Sequence, residues 1–139
     1  KLLKNILPVS VSEEIKETGR ATARAYSRVS VLFTDFVGFT KISETMKPSE
    51  LVSELDIYFR KFDEIVVRNN LEKIKTIGDA YMAAGGLPTS NQTHAEDVIC
   101  AALEIQQYMS EYKKARQEAG KLFFEISFSF ITPIYRLLR

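Results

Sequence analysis

Cysteine is nearly absent from this chain. Cys100 stands alone among 139 residues, which excludes an internal disulfide framework and any CxxC metal site. A single thiol fits a reducing, cytoplasmic setting, and its position beside an apolar helical stripe predicts a core residue. Histidine is equally scarce: His94 is the only one, and no Ser/His/Asp set for nucleophilic catalysis is visible. Its place in a helix-capping segment reads as structural. No run of about 18 apolar residues occurs, so no segment is expected to span a membrane. The opening Lys1-Leu2-Leu3-Lys4 lacks the apolar region of a signal peptide. The missing initial Met predicts a piece of a longer protein, whose membrane attachment stays open. Nor is there an excess of one charge. The 19 basic and 18 acidic residues leave a net charge of +1, so electrostatics gives no case for a nucleic-acid or membrane-surface partner. Arg20, Arg24 and Arg28 do cluster, and read as a solvated helix face.

An apolar fraction of 45% and a charged fraction of 27% describe one globular domain with a core of its own. Residues 1–28 read as an N-terminal linker or coupling segment, interrupted by Pro8 and Gly19. Val29 to Phe33 is a continuous β-branched and aromatic run, a buried strand, and Thr34 to Thr40 reads as a turn leaving it. Pro48 suits the first turn of a helix. After it Leu51, Leu55, Tyr58, Phe59, Phe62, Ile65 and Val66 recur at helical spacing, ending near Asn69-Asn70. Leu71 to Ile77 and Ala80 to Ala84 read as strands joined by a Gly78-Asp79 turn of the primed hairpin type. Thr93 and Glu96 predict a capping box. The helix it opens buries Ala95, Val98, Ile99, Ala102, Ile105, Met109 and Tyr112, and stops at Gly120. Phe124, Ile126, Phe128 and Phe130 alternate with polar residues as a half-buried strand that Pro133 ends. The order β-α-β-β-α-β predicts an α+β, ferredoxin-like fold: an antiparallel sheet with two helices on one face.

In that topology the first and third strands are neighbours. Asp35, after strand one, and Asp79, at the hairpin tip, can then face each other. Paired carboxylates on rigid elements suit a hard cation such as Mg²⁺, with phosphate oxygens completing its shell. The plainer reading is that Asp35 caps a turn and Asp79 simply suits one. Between them, Phe36-Val37-Gly38-Phe39-Thr40 offers a turn whose free N–H groups can cradle phosphates, with Gly38 allowing close approach. It reads equally as an ordinary turn with Phe36 and Phe39 in the core. Lys75, four residues before Asp79, is either a donor to a purine acceptor or an ordinary exposed strand lysine.

Two long segments carry these residues together: Val31-Leu32-Phe33-Thr34-Asp35-Phe36-Val37-Gly38-Phe39-Thr40, and Glu72-Lys73-Ile74-Lys75-Thr76-Ile77-Gly78-Asp79-Ala80-Tyr81-Met82-Ala83-Ala84-Gly85-Gly86-Leu87-Pro88. They closely resemble the two front motifs of class III adenylyl and guanylyl cyclase catalytic domains. The resemblance runs over roughly residues 1–125, and Leu7-Pro8 resembles the linker that couples such domains to an upstream sensor. It implies that Asp35 and Asp79, with Phe36 beside them, bind two divalent cations, Mg²⁺ or Mn²⁺. It implies that Phe36 to Thr40 holds the triphosphate, with Gly78 also in the substrate site. Lys75 matches the base-reading position, Lys in adenylyl and Glu in guanylyl cyclases; Lys donates, which suits adenine N1. The implied reaction is ATP to 3′,5′-cyclic AMP and pyrophosphate by two-metal phosphoryl transfer.

The resemblance weakens after the fourth strand. The family pattern continues with a His-Thr-Gly-Pro turn, a Trp-Gly-(Asp or Thr)-Thr-Val-Asn segment and a later Arg. Residues 126–139 depart from it, and only Thr132-Pro133 resembles the turn. The expected division is therefore a partial catalytic domain over 29–131 and a divergent tail over 132–139. Family sites form between two domains, one giving the aspartates and the other the Asn and Arg. A homodimer of this sequence has aspartates twice and the later donors on neither side. Losing one donor aimed at developing charge costs about 10²–10³ in rate. The chain alone is thus expected to be nearly inactive and to work in a dimer with a complete cyclase domain. The competing readings are a guanylyl cyclase, a non-catalytic half that dimerises or regulates, and an unrelated ferredoxin-like module.

Overall fold

The computed structural model describes residues 9–132. Its elements in chain order are α1 (Val9–Thr18), β1 (Ser30–Val37), α2 (Phe39–Ser43), α3 (Pro48–Arg68), β2 (Glu72–Ile77), β3 (Ala80–Gly85), α4 (His94–Glu118) and β4 (Glu125–Ile131). The strands form one sheet in the order β2-β3-β1-β4, and β1–β3, β1–β4 and β2–β3 are all antiparallel. This is the expected ferredoxin-like α+β arrangement. The long helices α3 and α4 share a core with one face of the sheet.

The expected helices form for the expected reasons. Pro48 stands in the first turn of α3, where its missing N–H leaves no orphan. The face carrying Tyr58, Phe62, Ile65 and Val66 is buried. Gly120, at φ 66, follows α4, and the Lys121 N–H returns to the Arg116 carbonyl at 2.9 Å, the 6→1 bond of a Schellman stop. An aromatic cluster ties the layers together. The Phe36 ring lies 5.1 Å from Tyr58, 6.3 Å from Phe62 and 5.3 Å from Phe124, measured between centroids.

Several local expectations are overturned. Strand β1 does not stop at Phe33. It runs to Val37, because β4 supplies a ladder partner for every residue from Val31 to Val37. The capping box at Thr93 does not form: the Thr93 hydroxyl donates to Asp97 at 2.8 Å and caps no backbone N–H. Cys100 is exposed, and so are Ala95 and Ile99. The buried stripe of α4 instead runs through His94, Val98, Ala101, Ala102, Ile105 and Met109. The arginine cluster lies outside any helix; Arg24 pairs with Glu14 at 3.3 Å and Arg28 donates to Gln92 at 3.2 Å. Part of the expected linker is the helix α1. Leu7-Pro8, Pro133 and most of the tail lie outside the described residues. His94 is buried and its Nδ1 meets the Ser30 hydroxyl at 2.8 Å, the structural role expected of it. Among the described residues no helix is long and apolar enough to cross a membrane.

Phe62 is fully buried and touches both Phe36 and Tyr81. Phe62→Ala should therefore lower unfolding free energy by about 3–5 kcal/mol in urea denaturation.

Candidate functional site: an acidic cleft at the end of β1

The sheet has one face under the helices and one face open. Along β1 the residues Ser30, Leu32, Thr34 and Phe36 are buried, while Asp35 and Val37 are exposed. This is the period of two that a strand imposes. Burying the Phe36 ring thus forces the Asp35 side chain onto the open face. On β1's other neighbour, Tyr81 sits opposite Thr34. Two residues earlier along β3's antiparallel course, the hairpin tip brings Asp79 level with Phe36. Gly78 makes that tip possible. Its φ is 58, whereas Asn70 is the only non-glycine with positive φ among the described residues. A turn with positive φ at its first central residue alone is the primed form the sequence predicts.

The two carboxylates meet. The Asp79 carboxyl lies close enough to the Asp35 carboxyl and to the Phe36 and Asp79 N–H groups for each to shift its pKa. Burial, first, and then the Asp35 carboxyl hold the Asp79 pKa above its ordinary value, with the N–H groups pulling the other way. Asp35, Phe36, Gly38, Phe39, Thr40 and Asp79 line one cleft of about 440 Å³. Gly38, at φ 66, caps the short helix α2, so the chain reverses sharply between Val37 and Phe39. That left-handed φ costs a side chain and favours glycine. Phe39 is part of the aromatic packing, 5.7 Å from Phe124. Lys75 is exposed on β2 opposite Met82 and does not line the cleft wall. Val37 and Gly78 are likewise exposed beside it.

Lys41 of α2 and Glu44, which caps its C-terminus, also line the cleft. Sequence reasoning missed them, and the only available signal was helical spacing from Thr40. A second hollow of about 500 Å³ lies between α3 and the end of α4. Two of its charges are already spent on structure: Arg116 pairs with Glu54 at 3.1 Å and donates to the Leu122 carbonyl at 2.7 Å.

The donor set suits a hard divalent cation. Two carboxylates close enough to repel are stabilised by a cation between them. Among the described residues no group of three or more His, Cys, Asp or Glu is placed to hold a metal. A bound ion therefore needs backbone or substrate oxygens as well, which is the usual state of a phosphate-handling site.

An antiparallel ferredoxin-like sheet with a carboxylate pair at one end defines the class of domain, and comparison defines the family. Residues 21–126 match the Adenylate and Guanylate cyclase catalytic domain, and the chain belongs to this family of phosphorus–oxygen lyases. It is 40% identical over 116 residues to an adenylate cyclase of Mycobacterium tuberculosis, covering 83% of this chain and 26% of that protein. It is also 40% identical over 109 residues to human guanylyl cyclase C, covering 78% of this chain and 10% of that protein. Its fold matches the guanylate cyclase domain of RhGC from Catenaria anguillulae, solved in complex with GTP, with TM-score 0.69 and 29% identity over 78% of this chain and 57% of that one. The chain thus spans about a quarter or less of these curated relatives. Cyclase catalytic domains use divalent metals, and relatives of both nucleotide specificities match.

The raised Asp79 pKa sets a sign. The folded state binds the proton more tightly than the unfolded chain, so the group favours folding at low pH. That contribution is lost as pH rises through the raised pKa. At pH 7 without divalent cations, Asp79→Asn should melt roughly 1–3 °C higher than wild type. The gain should vanish below about pH 3, where Asp is largely protonated in both states. Added Mn²⁺ should raise the wild-type Tm and leave the variant unmoved, as read by differential scanning fluorimetry.

Proposed function

We propose that this domain makes 3′,5′-cyclic AMP from ATP, with Asp35, Asp79 and the Phe36 backbone holding the cations and Lys75 reading the base. The carrying observation is the convergence of Asp35 and Asp79, remote in sequence, on one cleft beside the Phe36 N–H. Two divalent cations, Mg²⁺ or Mn²⁺, supply acidification of the ribose 3′-hydroxyl and neutralisation of the triphosphate when bound. Asp35 and Asp79 bind and space them. The turn from Phe36 to Thr40 orients the phosphates, and Gly38 lets backbone approach them without a Cβ in the way. Gly78 keeps the hairpin tip tight so that Asp79 faces the cleft. In the net reaction the 3′ oxygen bonds to the α-phosphorus and pyrophosphate departs.

Lys75 supports ATP over GTP. An ammonium group only donates, and adenine N1 accepts, whereas guanine presents N–H at that position. The side chain stands on the same open face of the sheet as Asp35, since its partner Met82 is also opposite Phe33. The second half of the site comes from a partner cyclase domain, and the parent protein carries an upstream sensor.

Complementation tests the assignment. The 139-residue chain alone should yield little product. Mixed with a cyclase domain whose own metal-binding aspartates are changed to Asn, it should give cyclic AMP with ATP and Mn²⁺. Asp35→Asn or Asp79→Asn in this chain should then cut the rate by at least about 10². Undiminished turnover in those variants sinks the proposal. A non-catalytic regulatory half is favoured instead if Mn²⁺ binds and the mixture stays silent.

A further inference from the structure

The two edges of the sheet are not alike. Strand order makes β2 one edge and β4 the other. An edge strand offers a row of unpaired N–H and C=O groups to any second strand. Edge β2 carries the usual protections against that. Glu72, Lys73 and Lys75 put charge along it. A register shift between Lys73 and Lys75 bulges it, which breaks the regular ladder. Edge β4 carries none of these. Its residues from Glu125 to Ile131 pair with β1 in unbroken register. From Ile126 to Ile131 it holds no charge, no Pro and no Gly. Among the described residues no strand pairs with its outer side.

The strip beside that edge is apolar. Ile126, Phe128 and Phe130 stand opposite Phe36, Thr34 and Leu32, which are buried. All three therefore turn to the helix side, yet Phe130 is 42% exposed. On α4, Glu104 meets Arg68 of α3 at 3.0 Å, while Lys113 reaches Glu125 at 2.5 Å. The side of α4 away from α3 thus overhangs β4. Helical spacing puts Ile99, Leu103, Gln106 and Ser110 on the same stripe as Lys113, and Ile99 and Leu103 are exposed. A hollow of about 210 Å³ opens beneath that stripe, with Met109, Phe124 and Ile126 in its wall.

We propose that β4 is a docking edge for a second copy of this chain. The two β4 strands pair antiparallel about a twofold axis at Phe128 and join two four-stranded sheets into one. Charge and register select this occupant. The β2 edge of another copy is a poor partner, because its charges and its bulge oppose pairing. An edge that pairs with itself closes as a dimer instead of growing into a fibre. Residues opposite each other must share a face, so the axis passes through a residue, not between two. Placed at Phe128, it pairs all seven positions of β4. Ile126 then meets the partner's Phe130, and Ser127 meets the partner's Ser129. The exposed Phe130 ring is thereby delivered to the hollow beside Ile126. The two Lys113–Glu125 pairs fall at opposite ends of the joint strip, so no like charges meet across it. No residue lining the acidic cleft belongs to β4, so the pairing is independent of the metal and base assignments.

Sedimentation equilibrium on the 139-residue chain tests this, with far-UV circular dichroism confirming that each variant folds. The wild type should show a reversible monomer–dimer equilibrium with a dissociation constant of roughly 1–100 μM, as a small interface gives. Outward amides of β4 should exchange at least about tenfold more slowly in the dimer than at monomeric dilution, with β2 amides unchanged. Ser127 and Ser129 are exposed, which makes them safe places for charge. Ser127→Lys with Ser129→Lys sets like charges opposite each other across the axis and should weaken the dimer at least about tenfold. Ser127→Lys with Ser129→Glu sets opposite charges together and should dimerise like wild type. A chain that stays monomeric to about 1 mM overturns the proposal, as do open-ended aggregates. So does a dimer that the two-lysine variant leaves intact, or one that both double variants weaken equally. Protection of β4 amides at monomeric dilution shows another occupant on the edge and overturns it too.

Discussion

The burial of one aromatic ring organises this molecule. Phe36 sits in the core among Tyr58, Phe62 and Phe124, on the strand that pairs with both β3 and β4. Because a strand alternates its side chains, a ring fixed inward fixes Asp35 outward. The same ring fixes the Phe36 backbone, whose N–H reaches the Asp79 carboxylate. One hydrophobic decision therefore settles three polar positions. Precision at the cleft comes from packing beneath it, as sites on rigid elements require.

Packing alone leaves the cleft electrostatically uncomfortable. Burial first, and then a neighbouring like-charged carboxylate, disfavour the ionised form of Asp79, and both hold its pKa above the ordinary value. A fold tolerates such a pair when the whole structure over-determines it. Here the hairpin and β1 hold the pair from two directions. The N–H groups of Phe36 and Asp79 offset part of the cost, and a divalent cation bound between the carboxylates would offset more. Local strain of this kind belongs at functional sites.

Much of this was legible in the residues. The amphipathic stripe of α3 and the Gly78-Asp79 hairpin come from period and turn chemistry, and the topology that joins Asp35 to Asp79 follows from element order. What was hidden depends on partners far away in the chain. Phe36 and Val37 belong to β1 only because Ile126 and Glu125 lie opposite them, and no local signal carries that fact. Thr93 and Glu96 match a capping pattern, yet Asp97 takes the hydroxyl, since two carboxylates near one cap compete. The stretch Lys73-Ile74-Lys75 reads as plain alternation; the shift beside Ala83 and Met82 is set by contacts to α3. Cys100 and Ile99 look buried by residue type, but the helix meets the sheet through small residues, Ala101 and Ala102.

Family membership and nucleotide choice live at different levels of this structure. Adenylate and guanylyl cyclases both match this chain, so the fold alone does not distinguish ATP from GTP. Lys75, the side chain proposed to distinguish them, lies on β2, at the edge of the sheet. An edge strand has one ladder instead of two, and bulges concentrate there because they disrupt less. The proposed metal-binding chemistry thus has Asp35 on the central strand, held by two ladders and an aromatic core. The proposed base-reading chemistry sits on the strand that can change with the least damage to the rest. A Lys at position 75 can be exchanged without touching Phe36, Asp35 or Asp79, and under the proposed assignment that separation lets one fold serve two nucleotides.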